Sequence, residues 1–169
     1  MTDDPRHITV LSFDSRLAAD EALTAALRLQ SEGKILIEDA VFVTKGQDGK
    51  AHVRETTDPS IGQSALGGAF WGLLFGILFM VPFAGLAIGA GSAALVAKIR
   101  DTGVNDDFIK TVKQNIEAGK TNLILLATRG NEEAVRAELQ RFAGLATVAY
   151  STLPEETITE VKEALKQEA

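Results

Sequence analysis

The chain has 169 residues, 46% hydrophobic and 24% charged, a globular composition with room for one domain or one domain carrying an insertion. Its formal charge of −6 comes without a basic cluster, which argues against broad nucleic-acid binding. Cysteine is absent, which excludes disulfides, thiolate chemistry and cysteine-based metal sites.

The first residues, MTDDPRHITVLSF, are acidic and lack the basic and apolar stretches of a secretory signal. Any membrane contact is therefore expected from the cytoplasmic side. His7 to Phe13 reads as a strand, rich in β-branched and aromatic residues. Asp14 or Ser15 can cap a following helix, on which Leu17, Leu23, Ala26 and Leu27 recur near helical spacing, and Gly33 fits the position just past its end. KILIEDAVFVTK (34–45) and KAHVRET (50–56) flank a QDG turn and predict a hairpin.

From Pro59 through Ala97 there is no charged residue. Ser64, Gly68, Gly72 and Gly76 recur every four residues, and Gly85, Gly89, Ala93 and Ala97 do so after Pro82. Each set forms a small-residue stripe suited to close helix contact. Trp71, Phe75 and Phe79 form a second stripe, and Pro82 and Phe83 mark a bend. The expectation is an apolar Gly/Ala-rich helical hairpin projecting from the sheet, so that residues 60–97 are removable. Its small residues, Ser64, Gly68, Gly72, Gly76, Gly85, Gly89 and Ala93, would serve self-association. Its aromatics, Trp71, Phe75, Phe79 and Phe83, would touch membrane or partner. Each arm is about 24 Å long at 1.5 Å per residue, short of a hydrocarbon core of about 30 Å. Membrane association, burial in a soluble assembly and an intramolecular core all stay open.

After this segment, Asn105 to Ala118 reads as a helix with Phe108, Ile109, Val112 and Ile116 on one face and Gly119 at its end. TNLILLAT (121–128) is a central strand by its continuous apolarity. A helix capped by Asn131 and closed by Gly144 follows, then the strand LATVAYSTL (145–153) and a last helix, Pro154 to Gln167, with Ile158, Val161 and Leu165 aligned. EALTAAL (21–27) and EAVRAEL (133–139) share a local pattern.

Two strand–helix–strand halves predict an α+β fold: a ferredoxin-like sandwich made of a duplicated βαβ unit, with an inserted apolar Gly/Ala-rich helical hairpin and extra helices. The expected division is 1–58, first half; 59–98, inserted hairpin; 99–120, connecting helix; and 121–169, second half plus C-terminal helix. The extra helices would cover the sheet's other face or dock on a neighbour.

The ordered combination DAVFVTKGQDGKAHVRE, GGAFWGLLFGILFMVPFAGLAIGAGSAAL and DTGVNDDFIK resembles a bacterial family of uncharacterised predicted membrane proteins, a domain of unknown function, over about residues 8 to 150. The resemblance implies a ferredoxin-like domain with an inserted hairpin, no catalytic residues and a loose link to general stress proteins.

Motifs with chemical connotations have plainer readings. Gly89 to Ala94 matches GxGxxA but lies within the Gly/Ala segment, not after a strand. Gly119-Lys120-Thr121 precedes a strand and reads as a helix end. Asp106-Asp107, Glu132-Glu133 and Glu155-Glu156 fall in first helical turns, where carboxylates complement the helix dipole. Glu38-Asp39 interrupts an apolar strand and predicts a bulge or an edge pair. His7 and His52, if neighbours, would be a weak metal pair. No enzyme, metal or cofactor is expected. The expected function is a non-enzymatic, oligomeric, membrane-associated protein at the cytoplasmic face of the inner membrane, with itself and the lipid bilayer as partners. The alternative is a cytoplasmic self-assembling structural protein, a ring, cage or filament with hairpins buried between subunits.

Overall fold

The computed structural model describes residues 6–56, 67–79, 97–99, 101, 104–128, 130 and 132–168. In chain order the elements are β1 (His7–Phe13), α1 (Arg16–Ser31), β2 (Leu36–Lys45), β3 (Ala51–Glu55), α2 (Gly68–Phe79), α3 (Asp106–Glu117), β4 (Thr121–Thr128), α4 (Glu132–Gln140), β5 (Ala146–Thr152) and α5 (Glu155–Glu168). The class is α+β. The five strands form one sheet in the order β3-β2-β4-β1-β5, and every neighbouring pair is antiparallel.

Local chemistry accounts for most element ends. Ser15 caps α1, accepting from the Ala18 N–H at 3.3 Å. Asn105 caps α3, accepting from the N–H groups of Asp107 at 2.8 Å and Phe108 at 3.2 Å. Gly33 and Gly119, with φ of 73° and 79°, follow the C-caps of α1 and α3, where a left-handed residue lets the chain leave the helix. In the β2–β3 hairpin the Lys50 N–H donates to Asp48 at 2.9 Å and the His52 ring lies 3.2 Å from the same carboxylate. The Lys50 amide first, and His52 second, hold the exposed Asp48 carboxyl below the ordinary carboxylate range.

Strand β4 lies at the centre of the sheet and is buried on both faces, which explains its unbroken apolar run. Leu123 and Leu125 face one layer, together with Leu11, Phe13, Ile37 and Phe42 and the α1 residues Ala19, Ala22, Ala26 and Leu29. Ile124 and Leu126 face the other, with Ile8, Val10, Val41 and Val43 and the buried sides of α2, α3 and α5. The sheet is thus covered by α1 and α4 on one side and by α2, α3 and α5 on the other. Among the helix contacts expected from the sequence, Phe108, Val112, Ile116, Ile158 and Val161 are buried. Leu17 is not: it is 68% exposed, because the stripe that meets the sheet is the alanine row of α1.

Residues 68–79, within the expected insertion, do not project from the sheet. Helix α2 lies within the second core, packed against α5, α3 and β3. Trp71, Phe75 and Phe79 are each 0% exposed, and Phe70, Leu73, Leu74, Ile77 and Leu78 are buried with them. The three stripe aromatics stack in series, with ring centroids 5.4 Å and then 5.0 Å apart, and Phe79 meets Phe108 at 6.2 Å. A helix apolar on all sides is stable where its sides are covered, and two helices and the sheet pack against this one.

A polar contact between buried side chains locates it. The Trp71 indole N–H donates to Asp39 Oδ2 at 2.7 Å, with Asp39 only 4% exposed. Asp39 reaches that side because β2 carries a bulge between the Ile37 and Asp39 pairings, leaving Glu38 as the extra residue. Glu38 turns instead to Arg6, whose guanidinium also bonds Glu155 at the start of α5.

Two outcomes follow from this packing. Trp71→Phe keeps most of the ring volume but removes the donor to a buried carboxylate, and should cost about 2 kcal/mol in urea unfolding followed by circular dichroism. Deleting residues 60–97 should abolish the cooperative transition, because it strips one core of its central helix; a sharp transition in the deleted protein would show that α2 is dispensable.

Candidate functional site

Both edges of the sheet carry exposed strands, and they differ in chemistry. Edge strand β3 displays His52, Arg54 and Glu55, with Arg54 3.7 Å from Asp20 and stacked 4.3 Å over the Phe42 ring. Charged side chains of this kind discourage further strand addition. Strand β5, ATVAYST, has no charge and no proline along its seven residues. Its register with β1 is regular from Ala146 to Thr152.

Alternation along β5 sends Ala149 and Ser151 toward α3 and α5, and Val148 and Tyr150 toward the α1/α4 side. There Val148 is 45% and Tyr150 54% exposed, with Leu145 beside them also exposed. Helices α1 and α4 therefore leave the β5 end of their face uncovered. The inward side is tied down by Ser151, whose hydroxyl accepts from the Asn105 N–H at 3.1 Å and links β5 to the start of α3.

Beside this edge, between α1, α4 and the sheet, lies a cavity of ≈ 400 Å³. Its walls include Leu11, Ala22, Ala26, Leu125, Leu139 and Phe142, and its rim carries His7, Thr9, Thr128, Arg136 and Tyr150. The space exists because α1 presents alanines to α4. Arg28 spans the two helices to Glu138 at 2.9 Å, and Phe142 meets Phe13 edge-on at 5.9 Å. At the rim the rings of His7 and Tyr150 stack with centroids 5.3 Å apart, and the Tyr150 hydroxyl is hydrogen-bonded to His7 Nδ1.

The residues singled out in the sequence are placed as follows. Trp71, Phe75 and Phe79 sit in the chain's own core, so in this arrangement they offer no surface to a bilayer or a partner. Gly68 opens α2, Gly72 is buried, and Gly76 is half-buried. Ser64, Phe83, Gly85, Gly89 and Ala93 lie outside the described residues, as does Asn131. Among the described residues no helix is long and apolar enough to cross a membrane. His7 and His52 do not converge: β1 and β3 are separated by β4 and β2. Glu38-Asp39 is the bulge expected of it.

The open β5 edge and the cavity were not read from the sequence. LATVAYSTL announces a strand but not its place in the sheet, and the alanine row of α1 looks like ordinary helix filling. The one available signal was the contrast between a charge-free β5 and a charged β3.

A family model described as "Protein of unknown function (DUF1269)" matches residues 65–166. The comparison with curated proteins and that with solved structures each returned no match.

Proposed function

The chain belongs to this family of unknown function, and on that footing we propose that it is a non-enzymatic protein that works by self-association, with β5 as the contact between copies. The observation that carries this reading is the seven-residue, charge-free, proline-free edge strand with Val148 and Tyr150 exposed beside it. Soluble proteins commonly blunt such edges, and the opposite edge of this sheet follows that practice. A second copy of β5, antiparallel about a two-fold axis at Ala149, would extend the sheet across both subunits. Val148 would then stand opposite Tyr150 of the partner subunit, a β-branched and aromatic pair of the kind that stabilises cross-strand contacts.

The order β5-β1-β4-β2, with β1-α1-β2 and β4-α4-β5 interleaved, supports a ferredoxin-like duplication to which β3 adds an edge strand. The non-enzymatic character is supported by the employment of the buried polar groups. Asp39 holds α2. Asn122 donates to the carbonyls of Val43 and Lys120 and accepts from the Ser12 hydroxyl at 2.6 Å, joining the three central strands.

Association with the cytoplasmic face of the inner membrane is a second reading. It is favoured by the charge-free run from Pro59 through Ala97, a length of apolar sequence beyond what α2 itself uses. In that reading α2 leaves the sheet when the protein meets lipid, giving up the Asp39 contact.

Self-association is tested by sedimentation equilibrium. The parent should be a dimer or larger, and Val148→Lys should weaken association at least tenfold with unchanged circular dichroism, since the residue is exposed. A parent that stays monomeric, or a variant that assembles like the parent, removes β5 as the contact. The membrane reading is tested by the sole tryptophan: brominated lipids in anionic vesicles should quench Trp71 if α2 inserts, and unchanged emission in bound protein would mean that α2 stays on the sheet.

A further inference from the structure

The geometry points to the α1/α4 cavity as a binding site for a small amphipathic carboxylate, its apolar body between the helices and its carboxylate at the rim. Tyr150 belongs both to this rim and to β5, whereas the apolar walls and Arg136 lie off β5.

The volume of ≈ 400 Å³ lies within the range of small-molecule sites, which begins at about 300 Å³. The space is a cleft open to solvent on one side, so its apolar walls stay wet until a ligand covers them. Contacts at its borders set the spacing of the walls. Arg28 bonds both oxygens of Glu138, at 3.0 and 2.9 Å, and Arg141 bonds the same carboxylate at 2.9 Å, which fixes α4 relative to α1. Phe142 rests on Phe13 at the floor. Ala22, Ala25 and Ala26 line most of the α1 side with methyl groups, beside Leu29, where larger residues would fill the gap.

The rim sets the chemistry of the ligand. Thr9 brings a hydroxyl, the hydrogen-bonded His7–Tyr150 pair an imidazole and a phenol, and Arg136 a guanidinium. The rim carboxylate, Glu138, is already engaged by two arginines, so the local charge at the mouth is positive in a chain whose net charge is −6. A guanidinium and a threonine hydroxyl on one rim suit a carboxylate, which accepts bonds in pairs. The walls, aliphatic except for Phe142, suit an alkyl chain or one aromatic ring. A cation would face Arg136, and a neutral alcohol would gain nothing from its charge.

Isothermal titration of the full chain with octanoate, octanol and octylammonium tests the assignment. Octanoate should bind one per chain and raise the unfolding temperature, octanol should bind at least tenfold more weakly, and octylammonium should not bind. Arg136→Gln, an exposed position with no part in either core, should weaken octanoate about tenfold. Ala26→Leu should fill the cavity and abolish binding while the protein unfolds at the same temperature or higher. Should Ala26→Leu fail to fold, Ala25→Val blocks the same wall with less bulk. Absence of octanoate binding overturns the site. Equal binding of octanoate and octanol, or an unchanged affinity in Arg136→Gln, overturns the carboxylate. Parent-like binding in the filled variant overturns the location. None of these positions is on β5, so sedimentation of the same samples reports separately on self-association.

Discussion

The hydrogen bond from the Trp71 indole to the Asp39 carboxylate governs how this chain closes on itself. Helix α2 is apolar on every side, so hydrophobic burial gives it a reason to be covered but no preferred orientation. A buried carboxylate supplies that orientation, because leaving it short of a donor in a low-dielectric core is expensive. The bulge in β2 makes the contact possible. Ile37 faces α1, and a regular strand would send Asp39 the same way. The extra residue, Glu38, shifts the alternation: Ala40 and Phe42 face α1, while Asp39, Val41 and Val43 face the α2 side. One inserted residue therefore puts a carboxylate on the side where the tryptophan lies, and turns Glu38 out to the arginine that also holds the start of α5.

This arrangement explains what could and could not be read from the residues in order. Strands β1 and β4 have the bounds their composition implied, since β-branched runs between turn residues have few competing structures. A cap at Asp14 or Ser15, a helix start near Asn105 and the glycines at 33 and 119 were legible because helix ends are set by local chemistry. The destination of α2 was not. A glycine every fourth residue and an aromatic every fourth residue look the same whether the neighbour is lipid, another copy or the chain's own sheet. What decides between them is Asp39, more than thirty positions away, and a bulge that only pairing reveals. Leu17 misled for a related reason: leucine outranks alanine in hydrophobicity, yet the α1 face that fits closely on the sheet is the alanine face. The edge position of β5 and the space beside α1 are properties of strand order and helix spacing, which no window of sequence contains.

The two faces of the sheet are built to different standards. On the α2 side, aromatic rings stack in series and large side chains from three helices fill the layer. On the α1 side, short side chains and ion pairs at the helix tops keep two helices apart. A loosely filled layer costs stability, since each unfilled volume forfeits contacts that a packed core would make. The densely packed opposite face can offset that cost because both layers share β4, whose side chains alternate between them, and Asn122 locks β4 to β1 and β2 from within. The aromatic core thus has a consequence beyond its own layer. It lets the other layer stay open and lets β5 run to the edge without the charges that protect β3, which places the exposed Tyr150 where the uncovered edge and the mouth of the cavity meet.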